Sequence, residues 1–263
     1  MQPKVSADLR VVALVSVGKH PSSGRARRAD QDARAVEMGL RLTPQALEVI
    51  HAGDSSNSVL RDYAGMGLQA VKVLEQPPQA DVLPALVEYL GASLPDIIMT
   101  GVRAESGESS GMTPYLLSEK LGIPVVTGIA EIRSVAQGYA EVLQALPRGQ
   151  RRALRVQLPF IASVDSAAMP ARQSAYGPAM RAQVEAEQVS IEVVDSVRAS
   201  WEETPARKRP KRLKVVKAKT AADRFKAATA KATGDGGAVM RDESAAEKAK
   251  AIFDLLVEEG VLR

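Results

Sequence analysis

The chain has 263 residues and a net charge of +4, and its composition is 45% apolar but only 3% aromatic. It contains no cysteine, which excludes disulfides, thiolate catalysis and cysteine-ligated metal or iron–sulfur centres. Its two histidines, His20 and His51, do not suggest a metal site, and so few aromatic faces disfavour base-stacking recognition of nucleic acid. No apolar run approaches the roughly 20 residues of a membrane helix, and residues 1–10 do not resemble a signal peptide. We therefore expect a cytoplasmic protein without membrane insertion.

Apolar strand-like runs alternate with helical stretches as far as about residue 160. The sequence predicts strands at 9–17, 46–51, 70–74, 96–100, 125–132 and 160–165, and helices at 30–42, 55–66, 81–90 and 113–121. Continuous valine-rich runs such as 9–17 are typical of strands buried on both faces. The alternation predicts an α/β fold with a doubly wound, mostly parallel sheet.

The pattern changes after residue 132. Residues 139–146 and 151–156 predict a β-hairpin, followed by a helix at 176–187 and an edge strand at 190–194. A run rich in lysine and arginine occupies 206–219, and residues 220–237 contain too few large apolar side chains to fold alone. Residues 244–259 predict an amphipathic helix whose first turn has a capping box of Ser244 and Glu247.

These changes divide the chain into three predicted parts. Residues 1–195 form a nucleotide-binding α/β domain, residues 196–243 a basic extended arm, and residues 244–263 a terminal helix. A lone helix of this length is marginally stable in water, so we expect it to dock on a partner subunit.

The stretch 96–124 carries the clearest ligand-binding pattern. A buried strand ends at Gly101, and a loop of small, polar and acidic residues precedes a helix that begins at Thr113. Gly107 and Gly111 permit positive φ, and backbone amides beside a helix N-terminus form an anion site. Neither a P-loop nor a GxGxxG motif is present. The pattern alone is equally consistent with a phosphate-binding loop and a flexible surface loop.

The same stretch resembles the electron-transfer flavoprotein β-subunit family. That family has Thr/Leu-Gly-x-Gln-Ala-Ile-Asp-Gly-Asp-Thr-Gly after an apolar strand, then a helix ending Leu-Gly-x-Pro. Here residues 101–111 are GVRAESGESSG and residues 121–124 are LGIP, in the same register. Asp32, Ala35, Glu37 and Leu40 match the family's Asp-x-x-Ala-x-Glu-x-x-Leu, and the resemblance covers residues 9–195. The chain departs from the signature by having Arg103 for Gln and Glu105-Ser106 for Ile-Asp.

The resemblance implies cofactors. The β subunit holds AMP, or a second FAD in electron-bifurcating members, while the redox-active FAD is shared with the α subunit. The cofactor-binding residues carried over to this chain are Ser16, Asp32, Ala52, Gly101, Arg103, Ala104, Glu105, Gly107, Ser109, Ser110, Gly111 and Thr113. Either Arg103 neutralises a phosphate, or Glu105 and Glu108 contact ribose hydroxyls. No residue is expected to act as a catalytic acid or base, because the family's β subunit is an electron-carrier component.

The resemblance also implies partners. These are an α subunit, a flavin-dependent dehydrogenase that donates electrons and a quinone oxidoreductase that receives them. Tyr176 falls on or next to the family's dehydrogenase-anchoring leucine, and with Met180 it is the predicted docking site. Packing of Tyr176 on the sheet is an equally consistent interpretation.

Two other functions remain open at this stage. A stand-alone adenine-nucleotide-binding regulatory protein would need no partner chain. A nucleic-acid-associated protein would bind phosphates through the basic run 206–219. No helix-turn-helix or winged pattern accompanies that run, so we expect a solvated arm that faces a protein partner.

Overall fold

The computed structural model describes residues 4–5, 8–107, 109–194, 196–202, 204, 220–222, 225 and 240–258. The chain divides into two units, Met1–Ser200 and Trp201–Arg263. Glu108 and the basic run 206–219, both considered above, lie outside the described residues.

The elements of the described residues follow in chain order. The strands are β1 (Lys4–Val5), β2 (Val11–Leu14), β3 (Val17–Lys19), β4 (Ala26–Arg28), β5 (Leu47–Gly53), β6 (Ala70–Glu75), β7 (Ile97–Gly101), β8 (Val125–Ala136), β9 (Tyr139–Ala145), β10 (Arg151–Gln157), β11 (Phe160–Val164) and β12 (Gln183–Gln188). The helices are α1 (Asp30–Leu42), α2 (Val59–Ala64), α3 (Val82–Ala92), α4 (Thr113–Leu121), α5 (Tyr176–Arg181), α6 (Ser196–Ala199) and α7 (Ala245–Glu258).

The main sheet is doubly wound, which confirms the predicted fold class. Its strand order is β10-β9-β8-β11-β7-β2-β5-β6-β12, with β1 beside β8. Neighbours from β8 to β12 in this order are parallel, whereas β9 and β10 form an antiparallel hairpin addition. The chain runs outward from β2 through β5 to β6, and then crosses to the other side of β2 to form β7. This reversal of direction is a topological switch point.

Helices cover both faces of the sheet. Val11 and Ala13 of β2 face α1 and α2, and they share a buried cluster with Val36 of α1 and Leu60 of α2. Val12 and Leu14 face the other side, in a cluster that includes side chains of α3 and α4 such as Leu86, Leu90 and Leu117. Because successive side chains of a strand point to opposite faces, β2 must be apolar throughout.

Several predicted regions differ from the structure. The run 9–17 is not one strand, because β2 ends at Leu14 and Val17–Lys19 pairs antiparallel with Ala26–Arg28. The helix predicted at 176–187 is wrong beyond Arg181, since residues 183–188 form β12 against β6. The peptide N–H of Gln183 donates to the Gln69 carbonyl (2.9 Å), so β12 satisfies backbone groups that would otherwise lie at the edge of β6.

The edge strand predicted at 190–194 is also wrong, because the edge position belongs to β12. Within that segment only Val194 forms a bridge, to Ala80. The helix predicted at 55–66 is shorter than expected and spans Val59–Ala64. A turn at Asp54–Asn57 precedes it, in which the Asp54 side chain accepts from the Ser56 amide (2.8 Å).

In the second unit, α7 begins with the predicted capping box. The Ser244 N–H donates to Glu247 Oε2 (2.9 Å), and the Glu247 N–H donates to Ser244 Oγ (3.3 Å). These reciprocal bonds satisfy amides that the first helical turn leaves unpaired. None of the described helices is both long and apolar enough to cross a membrane.

An ion pair between buried Glu37 and the half-exposed Arg172 links α1 to the segment before α5. Arg172 donates to Glu37 through Nε (2.7 Å), Nη2 (3.1 Å) and its backbone N–H (3.2 Å). Burial acts to raise the pKa of Glu37, but the hydrogen bonds from Arg172 and the charges of Arg172 and Arg41 outweigh it and lower that pKa. The pair therefore stabilises the fold while Glu37 is ionised.

Replacing Arg172 with methionine should lower the free energy of unfolding of the full chain by about 1–2 kcal/mol, because the buried Glu37 carboxylate loses its main hydrogen-bond donor while Arg41 stays nearby. Urea unfolding at neutral pH measures the loss. Since the pKa of Glu37 is lowered in the fold, the loss should fade as the pH falls below about 4.5, its ordinary value. The control is Arg181→Met, at an exposed arginine without an ion pair to a described residue. Equal midpoints for the two variants would show that the Glu37 pair adds nothing.

Candidate functional site

The candidate site lies at the switch point, where β2 and β7 end side by side. Ser16 follows β2, and Gly101 is the last residue of β7. In doubly wound sheets, ligands bind in the crevice outside the carboxyl ends of the strands at this point. The first turn of α1 and the loop 102–112 close over the same edge.

Asp32 joins the end of β2 to the start of α1. Its Oδ2 accepts from the Ser16 N–H (2.9 Å) and from Ser16 Oγ (2.6 Å). Burial raises the pKa of Asp32 to about 6, although the hydrogen bonds from Ser16 and the Gly101 amide act in the opposite direction. The carboxylate is thus held in place at an energetic cost, because it is only 5% exposed.

Tyr63 of α2 braces the same junction from the other side. Its hydroxyl donates to the Ser16 carbonyl (2.9 Å) and accepts from the Ala29 N–H (3.0 Å). The phenol is fully buried, and burial raises its pKa well above the ordinary value. Tyr63 therefore remains a neutral donor at physiological pH and fixes both ends of the β2–α1 connection.

Gly101 permits β7 to approach α1 closely. A Cβ at this position would overlap Asp32 Oδ1 and would lie 3.0 Å from Gln31 Cβ. The Gln31 Oε1 atom accepts from the amides of Val102 (3.1 Å) and Arg103 (3.3 Å), just past the strand. Any larger residue at 101 would push the loop away from the helix.

Glu105 fastens the loop to the hairpin β3–β4. Its carboxylate accepts from Arg27 Nε and Nη2, both at 3.0 Å, and from the Asp30 N–H at 2.9 Å. The last contact places a negative charge at the N-terminus of α1, which is favourable. Gly18 makes room, because a Cβ there would lie 2.5 Å from Glu105 Oε2. Both oxygens of Glu105 are therefore engaged within the protein.

The second half of the loop turns sharply toward α4. Gly107 (φ 72°), Ser109 (φ 54°) and Gly111 (φ 75°) adopt left-handed conformations. Ser109 Oγ donates to the Ala104 carbonyl (2.5 Å), and Ser110 Oγ accepts from the Met112 N–H (3.2 Å). Successive turns of this kind direct amides into a shared concavity, which suits an anion.

Three buried side-chain atoms among the described residues lack a hydrogen-bond partner. They are Arg28 Nη1, Gln76 Oε1 and Thr100 Oγ1. Arg28 precedes α1, Gln76 follows β6 and Thr100 precedes Gly101, so all three lie near the carboxyl edge of the sheet. An unpaired buried polar group costs about 1–3 kcal/mol. The edge thus offers unmatched donors and acceptors where a polar ligand would lie, and this fits a nucleotide.

The structure brings together most of the residues predicted from sequence. Ser16, Asp32, Gly101, Ala104, Glu105, Ser109 and Ser110 share the contacts described above. Gly107 and Gly111 make left-handed turns in the same loop, and Thr113 begins α4. Arg103 is exposed, and Ala52 lies one strand away, at the end of β5. Tyr176 (81% exposed) and Met180 (58%) belong to α5, which packs on α2 and forms a separate surface.

Sequence reasoning missed several residues of this edge. Arg27, Gln31, Tyr63, Gln76 and Thr100 hold the loop or present unpaired atoms, yet four of them lie in ordinary-looking strands or helices and Gln76 lies just past β6. Tyr63 meets Ser16 across 47 positions, and Arg27 meets Glu105 across 78. Only the β-strand order brings such pairs together, so no local pattern marks them.

Comparison with known proteins gives two matches. A model of the electron transfer flavoprotein domain matches residues 23–197. The chain is 52% identical over 268 aligned positions to the electron transfer flavoprotein subunit beta of Chromohalobacter salexigens, and the alignment covers 100% of both chains.

Asp32 should impose a pH dependence on stability. Because its pKa of about 6 lies above the ordinary 3.8, the fold binds a proton more readily than the unfolded chain does. The contribution of Asp32 is therefore most favourable below pH 3.8, and is lost as the pH rises through 6, by up to about 3 kcal/mol.

The variant Asp32→Asn keeps an acceptor for Ser16 and removes this titration. The free energy of unfolding of the variant, measured by urea titration of the full chain, should increase relative to that of the wild type as the pH rises from 4 to 7. Asp30→Asn is the control, since Asp30 is exposed at the same helix start. Parallel pH profiles for the wild type and Asp32→Asn would contradict the raised pKa.

Proposed function

The chain belongs to the electron-transfer flavoprotein β-subunit family, and from this premise we propose that it pairs with a larger α subunit to form an electron-carrying heterodimer. The pair accepts electrons from flavin-dependent dehydrogenases and passes them to a quinone oxidoreductase. This chain binds AMP and supplies part of the wall of the flavin pocket. It performs no acid–base chemistry on a substrate.

The FAD held with the α subunit supplies the one- and two-electron redox chemistry. The task of this chain is structural, because it places a rigid, pre-formed edge against the cofactor-bearing subunit. The Ser16–Asp32–Tyr63 contacts and the Arg27–Glu105 pair give the edge that rigidity. Rigid support matters for electron transfer, since a cofactor must be held at a fixed separation from its donor.

AMP binding rests on the geometry of the loop 102–112. The observation that carries it is the close approach of Gly101 to α1, which leaves the following loop to curl over the start of α4. Backbone amides and the hydroxyls of Ser110 and Thr113 suit a phosphate, whereas the Ser109 hydroxyl already donates to the Ala104 carbonyl and holds the loop. Arg103 is an exposed cation without an ion pair to a described residue, and it would neutralise phosphate charge. Glu105 would act indirectly, by holding the loop, because its oxygens are already engaged.

The dehydrogenase would dock on α5. Tyr176 and Met180 are four positions apart, so they lie on one side of the helix, and both are strongly exposed. The backbone beneath them is fixed: the Ala175 N–H donates to the Gly65 carbonyl (2.9 Å), and Arg61 Nη1 donates to the carbonyls of Ala179 (3.1 Å) and Ala182 (2.5 Å). An exposed aromatic side chain on a rigid backbone is typical of an interface hot spot.

The helix α7 would dock on the α subunit. Ile252, Phe253, Leu255 and Val257 are all exposed in the described structure. Burying four large apolar side chains against a partner protein is more favourable than leaving them in water. The arm 196–243 would then be the connection that allows α7 to reach across the larger subunit.

The two alternatives have less support. A stand-alone nucleotide-binding protein does not account for the exposed apolar residues of α5 and α7. A nucleic-acid-associated protein would depend on the run 206–219, whose charge alone does not specify a nucleic acid. Binding that collapses with rising salt and disappears when 206–219 is deleted would favour the latter.

Co-expression of the chain with its α subunit should yield a stable heterodimer. The purified complex should show a flavin absorption spectrum, and acid release should give AMP in addition to FAD. The chain expressed alone provides the control and should lack flavin. A colourless, self-sufficient chain that never captures the α subunit would overturn the proposal.

Replacing Tyr176 with alanine should slow reduction of the heterodimer by a flavin-dependent dehydrogenase at least tenfold, about 1.4 kcal/mol of lost interaction. Stopped-flow flavin bleaching measures the rate at limiting enzyme concentration. Reduction by dithionite should be unchanged, since it needs no docking. Tyr139→Ala, at another exposed tyrosine, is the matched control. A dehydrogenase-driven rate equal to that of the wild type would rule out α5 as the docking site.

A further inference from the structure

Gln76 presents a buried amide oxygen that no described residue satisfies. The residue is 5% exposed, and its Oε1 has no hydrogen-bond partner. Several other buried polar side chains in the main domain are matched: Asp32 by Ser16, Glu37 by Arg172 and His51 by the Val15 carbonyl. Gln76 is thus one of three described residues at the carboxyl edge of the sheet with an unpaired buried atom.

The backbone places Gln76 next to Ala52. In the β5–β6 register Ala52 pairs with Leu74 and Gly53 pairs with Glu75, and the Gln76 N–H donates to the Gly53 carbonyl (3.2 Å). By strand alternation Gln76 and Leu74 share the face covered by α3, which is also the face of Ala52. Ala52 is the smallest side chain that β5 offers there. Gln76 therefore lies beside Ala52, one of the cofactor-binding residues predicted from the sequence.

Thr100 presents a second unpaired oxygen on the same face. It is 6% exposed and follows Ile98, whose side chain packs with α3 and α4, by two positions. β7 and β6 are three strands apart, or about 14 Å along the edge. Thr100 lies just before the loop suited to phosphate, and Gln76 lies just past the end of β6. The two residues with unpaired atoms therefore lie at two points of the same edge.

A glutamine carboxamide matches adenine and not guanine. It offers one acceptor and one donor side by side, and adenine presents its 6-amino donor beside the N7 acceptor. Guanine presents two acceptors at the same edge, O6 and N7, so the amide oxygen would face another oxygen. We propose that Gln76 recognises the base of the bound nucleotide and makes the site select adenine over guanine. This inference rests on the proposed function, because it requires a nucleotide at this edge.

The test uses the heterodimer with three substitutions in this chain. Gln76→Leu removes both polar groups, Gln76→Glu keeps size but loses the donor, and Gln79→Leu is a control at an exposed glutamine three positions away. Each complex is unfolded, refolded with equal AMP and GMP, desalted, and its released nucleotides are quantified by chromatography. Circular dichroism and flavin content verify refolding.

The wild type and Gln79→Leu should retain AMP over GMP by at least tenfold. Both Gln76 variants should lose that preference at least threefold, and Gln76→Glu decides the matter if Gln76→Leu does not assemble. Unchanged selectivity in the Gln76 variants would overturn the role of Gln76 while leaving AMP binding intact. A wild-type complex that retains neither nucleotide would instead overturn the nucleotide site itself, and this inference with it.

Discussion

The attachment of the first turn of α1 to the ends of β2 and β7 is the constraint on which the site depends. Asp32 accepts from both donors of Ser16, and Gly101 has no side chain to keep β7 away. The fold holds a carboxylate here even though burial opposes its charge. This loss of stability is consistent with a functional site, because groups in unfavourable environments often occur where a ligand must be positioned.

The attachment of α1 to β2 and β7 also determines where the loop 102–112 lies. Gln31, next to Asp32, accepts from the first two loop amides, and Glu105 reaches back to Arg27 and to the Asp30 amide. Arg27 belongs to a hairpin that immediately precedes α1. The loop is therefore held at its base by residues no more than five positions before Asp32. Its family signature departs at Arg103 and Glu105, yet Glu105 compensates by making an ion pair inside the protein.

Much of the fold follows from the sequence, because buried parallel strands and amphipathic helices have distinct apolar periods. β5, β6, β7 and α4 lie close to their predicted positions for this reason. β12 was missed because residues 183–188 are mostly polar, and only the open edge of β6 makes them a strand. The hairpin β3–β4 was missed since a three-residue strand carries no period. At the site, the glycines and small polar residues could be predicted from the sequence, whereas the bond of Tyr63 to Ser16 and the position of the unpaired Gln76 oxygen depend on strand order.

Helix α1 also connects the site to the proposed docking surface. Asp32 lies in its first turn, and Glu37, little more than one turn later, binds Arg172 in the segment that leads to Tyr176. Arg34 adds a contact from the same helix to the Ala168 carbonyl (2.5 Å). A helix is stiff over this length, so α1 holds the proposed docking segment and the proposed nucleotide edge in a fixed relation. An electron donor bound at α5 would then approach the heterodimer in an orientation set by the same helix that holds the nucleotide loop.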